Sequence, residues 1–243
     1  MVQAAQAPRG RGRPRAGEEI DLALLLQAAL DAFAETGYDG TSVRELSRRL
    51  GVSHALLTAR FGSKEGLWVA AMEHALVEAE RTWREVADSP ELDDLEALRQ
   101  GVVRQVIFSA AHPQVLRIMN HEGAIDSPRV RFVMDRFVNP LRPGVERLLA
   151  RLVAAGRIRP VPYATLHFLV VVGGGALFAN PVEAALLGAP GHPDAEDIRA
   201  HAEAVAEVLI AGIAVTPPDP GPIGTAGHMS APPEEPDGRT SSR

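Results

Sequence analysis

The chain has no cysteine, so neither a disulfide framework nor a thiolate zinc site is open to it. Aromatic residues are scarce at 5%, while hydrophobic residues make up 46%, chiefly Leu, Ala and Val. That balance suits packed helices better than a sandwich or a barrel. No apolar run reaches the roughly 20 residues of a membrane span; the longest, Phe168 to Ala179, stops short. The opening stretch MVQAAQAPRGRGRPR has no apolar segment after its arginines, unlike a signal peptide. The expectation is a soluble, cytoplasmic protein with no membrane partner.

Catalytic frames are missing as well. There is no glycine-rich phosphate loop after a strand, no nucleophile elbow and no recognisable carboxylate pair. The histidines at 74, 112, 121, 167, 192 and 201 contain no pair at i, i+4 spacing. The chain is therefore expected to be no enzyme, with no metal and no cofactor.

What is present begins with charge. The net charge of −6 argues at first against nucleic acid, but its distribution does not. Residues 1–66 hold nine Lys and Arg against eight Asp and Glu; the remainder holds sixteen against twenty-three. Within the first part the cations gather in two places: Arg9, Arg11, Arg13 and Arg15 in one arm, and Arg44, Arg48, Arg49, Arg60 and Lys64 around residues 53–61. Screening limits each field to about 10 Å, so local clusters count for more than the total.

Periodicity and stop signals divide the 243 residues into an all-α succession. Residues 1–17 form a Pro/Gly/Arg-rich arm expected to be disordered. A helix is expected over 18–35, with acids in its first turn, ending at Gly37. Ser42 and Glu45 have capping-box spacing and start a second helix running to Leu50. Gly51 turns the chain into a third helix, 53–61, with Val52, Leu57 and Phe61 facing inward. Ser63 then caps a long fourth helix to about Ala87, stopped by Asp-Ser-Pro at 88–90. Further helices are expected over 91–111, 113–121, 128–155 (interrupted near Pro140 and Pro143), 162–187 and 195–215. The run HFLVVVGGGALFA is ambiguous between strand and helix; its length and surroundings favour a buried helix. Its glycines suit either close approach at a subunit interface or a kink in the core. Residues 216–243, with seven prolines in 28 residues, read as a disordered tail.

Residues 13–70 resemble the DNA-binding domain of the TetR/AcrR family of transcriptional regulators. The resemblance rests on RGRPR, ALDAFAETGYDGTSVRELSRRLGVS and FGSKEGLW, in that order. It implies a two-domain, all-helical homodimer: an N-terminal three-helix helix-turn-helix domain (18–66) and a C-terminal helical ligand-binding and dimerisation domain (67–215). It further implies double-stranded DNA and an unknown small-molecule effector as partners. One departure lies in the third helix. Family members often read Gly-x-Leu-Tyr-x-His-Phe where this chain has Ala55 to Phe61. Thr58 thus stands where a phosphate-binding tyrosine is common, and Arg60 where histidine is. Lys64 matches the family's phosphate-contacting lysine.

The expected DNA contacts follow. Ala55, Leu56, Thr58 and Ala59 make a small outer face able to enter a major groove, with His54 the candidate for a base edge. Ser42, Thr58, Arg60 and Lys64 are the expected phosphate contacts that hold the register, and Arg44 and Ser53 are further expected DNA contacts. Arg11, Arg13 and Arg15 would reach an adjacent minor groove. Against this, Ala55 and Ala59 are also simply good helix formers, Leu56 would be core were the helix rotated, and the arm would serve as a solubilising tail. Met119, His121, Phe132, His167 and Phe168 are candidates to line an apolar effector pocket, each equally readable as ordinary core. The rival readings are a helical ligand-binding or enzymatic dimer that has lost DNA binding, and a constitutive DNA binder with a closed core.

Overall fold

Asp21 sets the start of the first helix. Its carboxylate accepts hydrogen bonds from the amides of Ala23 (3.0 Å) and Leu24 (3.3 Å), satisfying two of the free N–H groups of α1, Leu22–Gly40. The computed structural model describes residues 21–87 and 92–215. The arm, residues 18–20 of the expected first helix, the stop at 88–90 and the tail lie outside the described residues. Asp21, expected within the first turn, is instead the residue that caps it.

Gly37 ends the regular part of α1 with φ 71°, a left-handed value that favours glycine. Behind it Thr41, buried, donates its hydroxyl to the carbonyl of Gly37 (2.7 Å) and locks the corner. Then come α2, Val43–Leu50; α3, His54–Phe61; and α4, Lys64–Ala87. Ser42 is the N-cap residue of α2, but the capping box does not form. Glu45 turns instead to Arg48 (2.9 Å) and Arg49 (3.3 Å), and two guanidiniums outcompete one amide for its carboxylate.

The remaining elements are α5, Asp94–Ala111; α6, Pro113–Glu122; α7, Pro128–Val133; α8, Asn139–Ala154; α9, Tyr163–His167; α10, Gly174–Ala179; α11, Pro181–Leu186; and α12, Ala195–Ile213. Two π-helical segments, Met134–Val138 and Phe168–Gly173, join α7 to α8 and α9 to α10. The first answers the two prolines. Pro140 and Pro143 each withhold a helical N–H, and a widened turn ahead of them keeps the axis continuous where a break was expected. Among the described residues there are no strands. A single antiparallel bridge, Ile158 to Ala214, clips the end of α12 to the segment after α8, two residues before its expected end.

Two apolar cores result. The first joins α1 to α3 with the start of α4 (Leu67, Trp68, Ala71, Met72), and draws in Val115 and Ile118 of α6. The second is built around α5, with α8, α10 and α12 packed on it. The glycine run belongs there. A Cβ on Gly174 would stand 2.6 Å from Cγ2 of Val106, and one on Gly175 3.0 Å from Oγ of Ser109. The close approach that Gly174 and Gly175 permit is to α5 and α6 of the same protomer, while Gly173 is exposed. The run is helical, as its length suggested, and its helix lies against the core.

Replacing Gly174 by Ala should therefore destabilise by about 1–3 kcal/mol through overpacking, despite the gain in helix propensity. Gly144→Ala in α8, where the added carbon meets nothing nearer than 4.0 Å, should instead be neutral or stabilising by up to about 1 kcal/mol. Urea unfolding of both variants checks this; equal behaviour would contradict the packing described.

Candidate nucleic-acid interface

The turn between α2 and α3 is made by Gly51, at φ 66° and ψ 18°, with the amide of Val52 bonded to the carbonyl of Ser47 at 3.0 Å. Ser53 then caps α3, its Oγ accepting from the amide of Leu56 at 3.1 Å. Gly62 (φ 74°) reverses the chain again, and Oγ of Ser63 accepts from the amide of Gly66 at 3.0 Å to open α4. Two left-handed glycines and two serine caps thus isolate an eight-residue helix.

That helix has one buried residue, Leu57, 2% exposed. Val52 and Phe61 lie half-buried beside it, as expected. His54, Ala55, Leu56, Thr58, Ala59 and Arg60 all face solvent, Leu56 at 39%. The helix is therefore not rotated to bury Leu56. His54 and Thr58 lie one turn apart, with Oγ1 of Thr58 3.4 Å from Nδ1 of His54.

The cations around α3 fall into two groups. Arg48 and Arg49 are committed to carboxylates: both to Glu45, and Arg49 also to Glu35 of α1 at 2.9 Å. The Arg48 hydrogen bond, followed by the charges of both arginines, holds the Glu45 carboxyl below its ordinary range. Arg44, Arg60 and Lys64 have no carboxylate partner among the described residues. Ser42 and Arg44 are exposed at the start of α2, and Lys64 stands at the start of α4. Arg11, Arg13 and Arg15 lie outside the described residues.

Lys64 has an unexpected neighbour. Its ammonium sits 4.3 Å from the centre of the Tyr38 ring, at the corner of α1. The guanidinium of Arg129, on α7, lies 3.7 Å from the centre of the same ring. Arg129 is anchored in turn by Glu122, which is 4% exposed and accepts from Nε of Arg129 at 2.9 Å and from the hydroxyl of Ser127 at 2.7 Å. Burial pushes the Tyr38 hydroxyl pKa up. Burial alone would lower that of Arg129, but the Glu122 bond and charge carry it upward. Nothing in the local sequence signalled this group, because Arg129 and Tyr38 are far apart in the chain.

The five pocket candidates do not converge. Met119 and Phe132 pack on the first core, Phe132 edge-on to Trp68 at 6.4 Å. His121 is exposed, and Phe168 is 64% exposed. The buried stripe of that segment runs through Leu166, Val170, Gly174 and Phe178, at four-residue spacing, and leaves position 168 outside it. His167 lies between the rings of Tyr163 (5.9 Å) and Phe168 (5.7 Å), and burial lowers its pKa. Open clefts lie along α4 at Glu80, Arg81 and Arg84 and beside α5 and α12 at Arg99 and Glu203; none of the five lines either of these. Among the described residues no helix is long and apolar enough to cross a membrane.

Residues 25–71 match the family described as bacterial regulatory proteins, tetR family. The HTH-type transcriptional regulator RutR of Escherichia coli K12 is 28% identical over 152 residues, 60% of this chain and 68% of that protein. An HTH-type transcriptional repressor of Mycobacterium tuberculosis is 42% identical over 64 residues, 26% of this chain and 34% of its own. The solved structure of a TetR family transcription regulator from Marinobacter aquaeolei VT8 superposes with a TM-score of 0.58 at 19% identity, covering 79% of this chain and 94% of the other, a likeness of fold. The exposed α3 framed by two glycine turns lies within the matched segment, so residues 25–71 carry the helix-turn-helix unit described for the tetR family of bacterial regulatory proteins, and the chain resembles transcriptional regulators of that family.

Proposed function

We propose that this regulator is a repressor that binds a palindromic operator as a homodimer and releases it when a small effector binds the C-terminal domain. The observation that carries the reading is α3: one buried leucine holds it, and its remaining face from His54 to Arg60 is presented to solvent beside cations without carboxylate partners. In the major groove, Ala55, Leu56 and Ala59 would meet thymine methyls and His54 a base edge. Thr58, Arg60, Lys64, Ser42 and Arg44 would bind phosphates. Ser53 accepts the capping bond through its oxygen, which leaves its hydroxyl proton for a further phosphate. Arg11, Arg13 and Arg15 would follow the minor groove.

Dimerisation through the helices of 162–187 and 195–215 would set two copies of α3 about 34 Å apart, one DNA turn. Support comes from apolar side chains left uncovered there: Leu169 at 53% and Val208 at 75% exposure. An effector acts by its differential affinity for conformations with and without that spacing. The Mycobacterium tuberculosis relative is described as a repressor, which favours that sign of regulation.

Fluorescence anisotropy with the protein's own upstream duplex and a scrambled duplex, at 50 and 200 mM salt, tests the reading. Preference for the upstream duplex should persist at the higher salt. Equal, weak binding lost with salt would leave only phosphate attraction. Lys64→Ala should weaken binding to all sequences alike and flatten the salt slope by about two per dimer. A changed base preference at unchanged affinity would contradict its role.

Glu45→Gln supplies a second check. It releases Arg48 and removes one of the two carboxylates of Arg49, which keeps Glu35, so binding to the scrambled duplex should tighten and its salt dependence steepen while the upstream preference narrows. Unchanged non-specific binding would mean that the Glu45 pairs do not restrain the basic surface.

A further inference from the structure

We infer that Arg129, on the C-terminal side of the molecule, is a positioning residue for Lys64, and that Tyr38 is the element through which it acts. The inference rests on the reading of Lys64 as a phosphate-binding group. Three observations carry it. The Lys64 ammonium and the Arg129 guanidinium both lie over the Tyr38 ring, at 4.3 and 3.7 Å. Arg129 is not a loose surface side chain: buried Glu122 fixes it, and Ser127 completes the coordination of that carboxylate. Tyr38 stacks on Phe33, a fully buried member of the first core, at 6.1 Å and 14° between planes.

A lysine side chain has four rotatable bonds and loses much freedom when it is held for a phosphate. The Tyr38 ring removes part of that freedom before DNA arrives. Glu122 neutralises Arg129, so the second cation supports the ring without a net charge opposing Lys64. The planar guanidinium, 3.7 Å from the ring centre, restricts the ring's own motion and so helps to hold the surface on which Lys64 rests. The group thus joins the α6–α7 corner to a DNA contact through four side chains: Glu122, Arg129, Tyr38 and Lys64. A shift of that corner would be felt as a change in phosphate affinity, equal on all sequences, with base preference unaltered.

A double-mutant cycle on operator affinity tests this, using Arg129→Gln, Lys64→Ala and the pair in the full chain. Arg129→Gln should weaken binding about threefold or more in the wild-type background and by almost nothing in the Lys64→Ala background. The NMR signal of the Lys64 ε-methylene, displaced by the ring it covers, should move towards its free value in Arg129→Gln without any DNA present. Should that variant fold poorly, Glu122→Gln, which keeps the Ser127 bond and frees Arg129, should give the same pattern. An equal cost of Arg129→Gln in both backgrounds, or a Lys64 signal that stays in place, would overturn the inference alone. Undiminished affinity of Lys64→Ala would overturn the phosphate role of Lys64 and the inference with it.

Discussion

The presentation of α3 depends on one contact above all, Leu57 seated in the core it shares with α1 and α4. An isolated helix of eight residues is unstable in water, since nucleation costs more than so few hydrogen bonds return. Burial of this leucine contributes about 2 kcal/mol, the largest single apolar anchor α3 has. Everything else around it reduces the freedom the contact must overcome: Gly51 and Gly62 set the two corners, and Ser53 and Ser63 close the helix ends on either side. A helix held so sparingly keeps nearly its whole surface for something outside the molecule. Its small side chains and flanking cations make DNA the partner that fits.

The same core explains why the N-terminal helices are not an independent module. Leu67, Trp68, Ala71 and Met72 of α4 lie on the side of the first core, and Val115 and Ile118 of α6 enter it from beyond. Polar ties run alongside. Gln114 of α6 donates to Asp31 of α1 at 2.6 Å, while Arg117 of the same helix donates to the carbonyl of Ala179 at the end of α10, 2.7 Å away. One short helix therefore touches both the DNA-side core and the glycine-closed helix of the second. It links α10 to α1 in parallel with the path through α5 and α4.

Much of this was legible in the sequence because it is local. Gly51, Ser53 and the spacing of Val52, Leu57 and Phe61 give the third helix its ends and its inner face within one residue of the observed bounds. What was not legible depends on competition or on distance. Ser42 and Glu45 have the right spacing for a capping box, but Arg48 and Arg49 bind the carboxylate more strongly than an amide does. Pro140 and Pro143 signalled a break and produced a π turn, because neighbouring helices hold the axis in line. The glycine run suggested either an interface between subunits or a kink in the core, and the close neighbours of Gly174 and Gly175 within the protomer, Val106, Ser109 and Leu116, lie far away in sequence. The cation pair on Tyr38 joins residues whose neighbours in sequence give no hint of each other. Apolar and histidine side chains in the middle helices suggest a pocket, whereas burial follows a four-residue stripe that omits Phe168.

The most direct test of the account is amide hydrogen exchange of the full chain with its upstream duplex and with a scrambled duplex of equal length. If α3 is the element that enters the groove, amides of His54 to Phe61 should be slowed more by the upstream duplex than by the scrambled one, with smaller slowing at Ser42 to Arg44 and at the start of α4. Exchange in α3 that is identical with both duplexes, while another surface becomes protected, would contradict the claim that this helix is held for DNA.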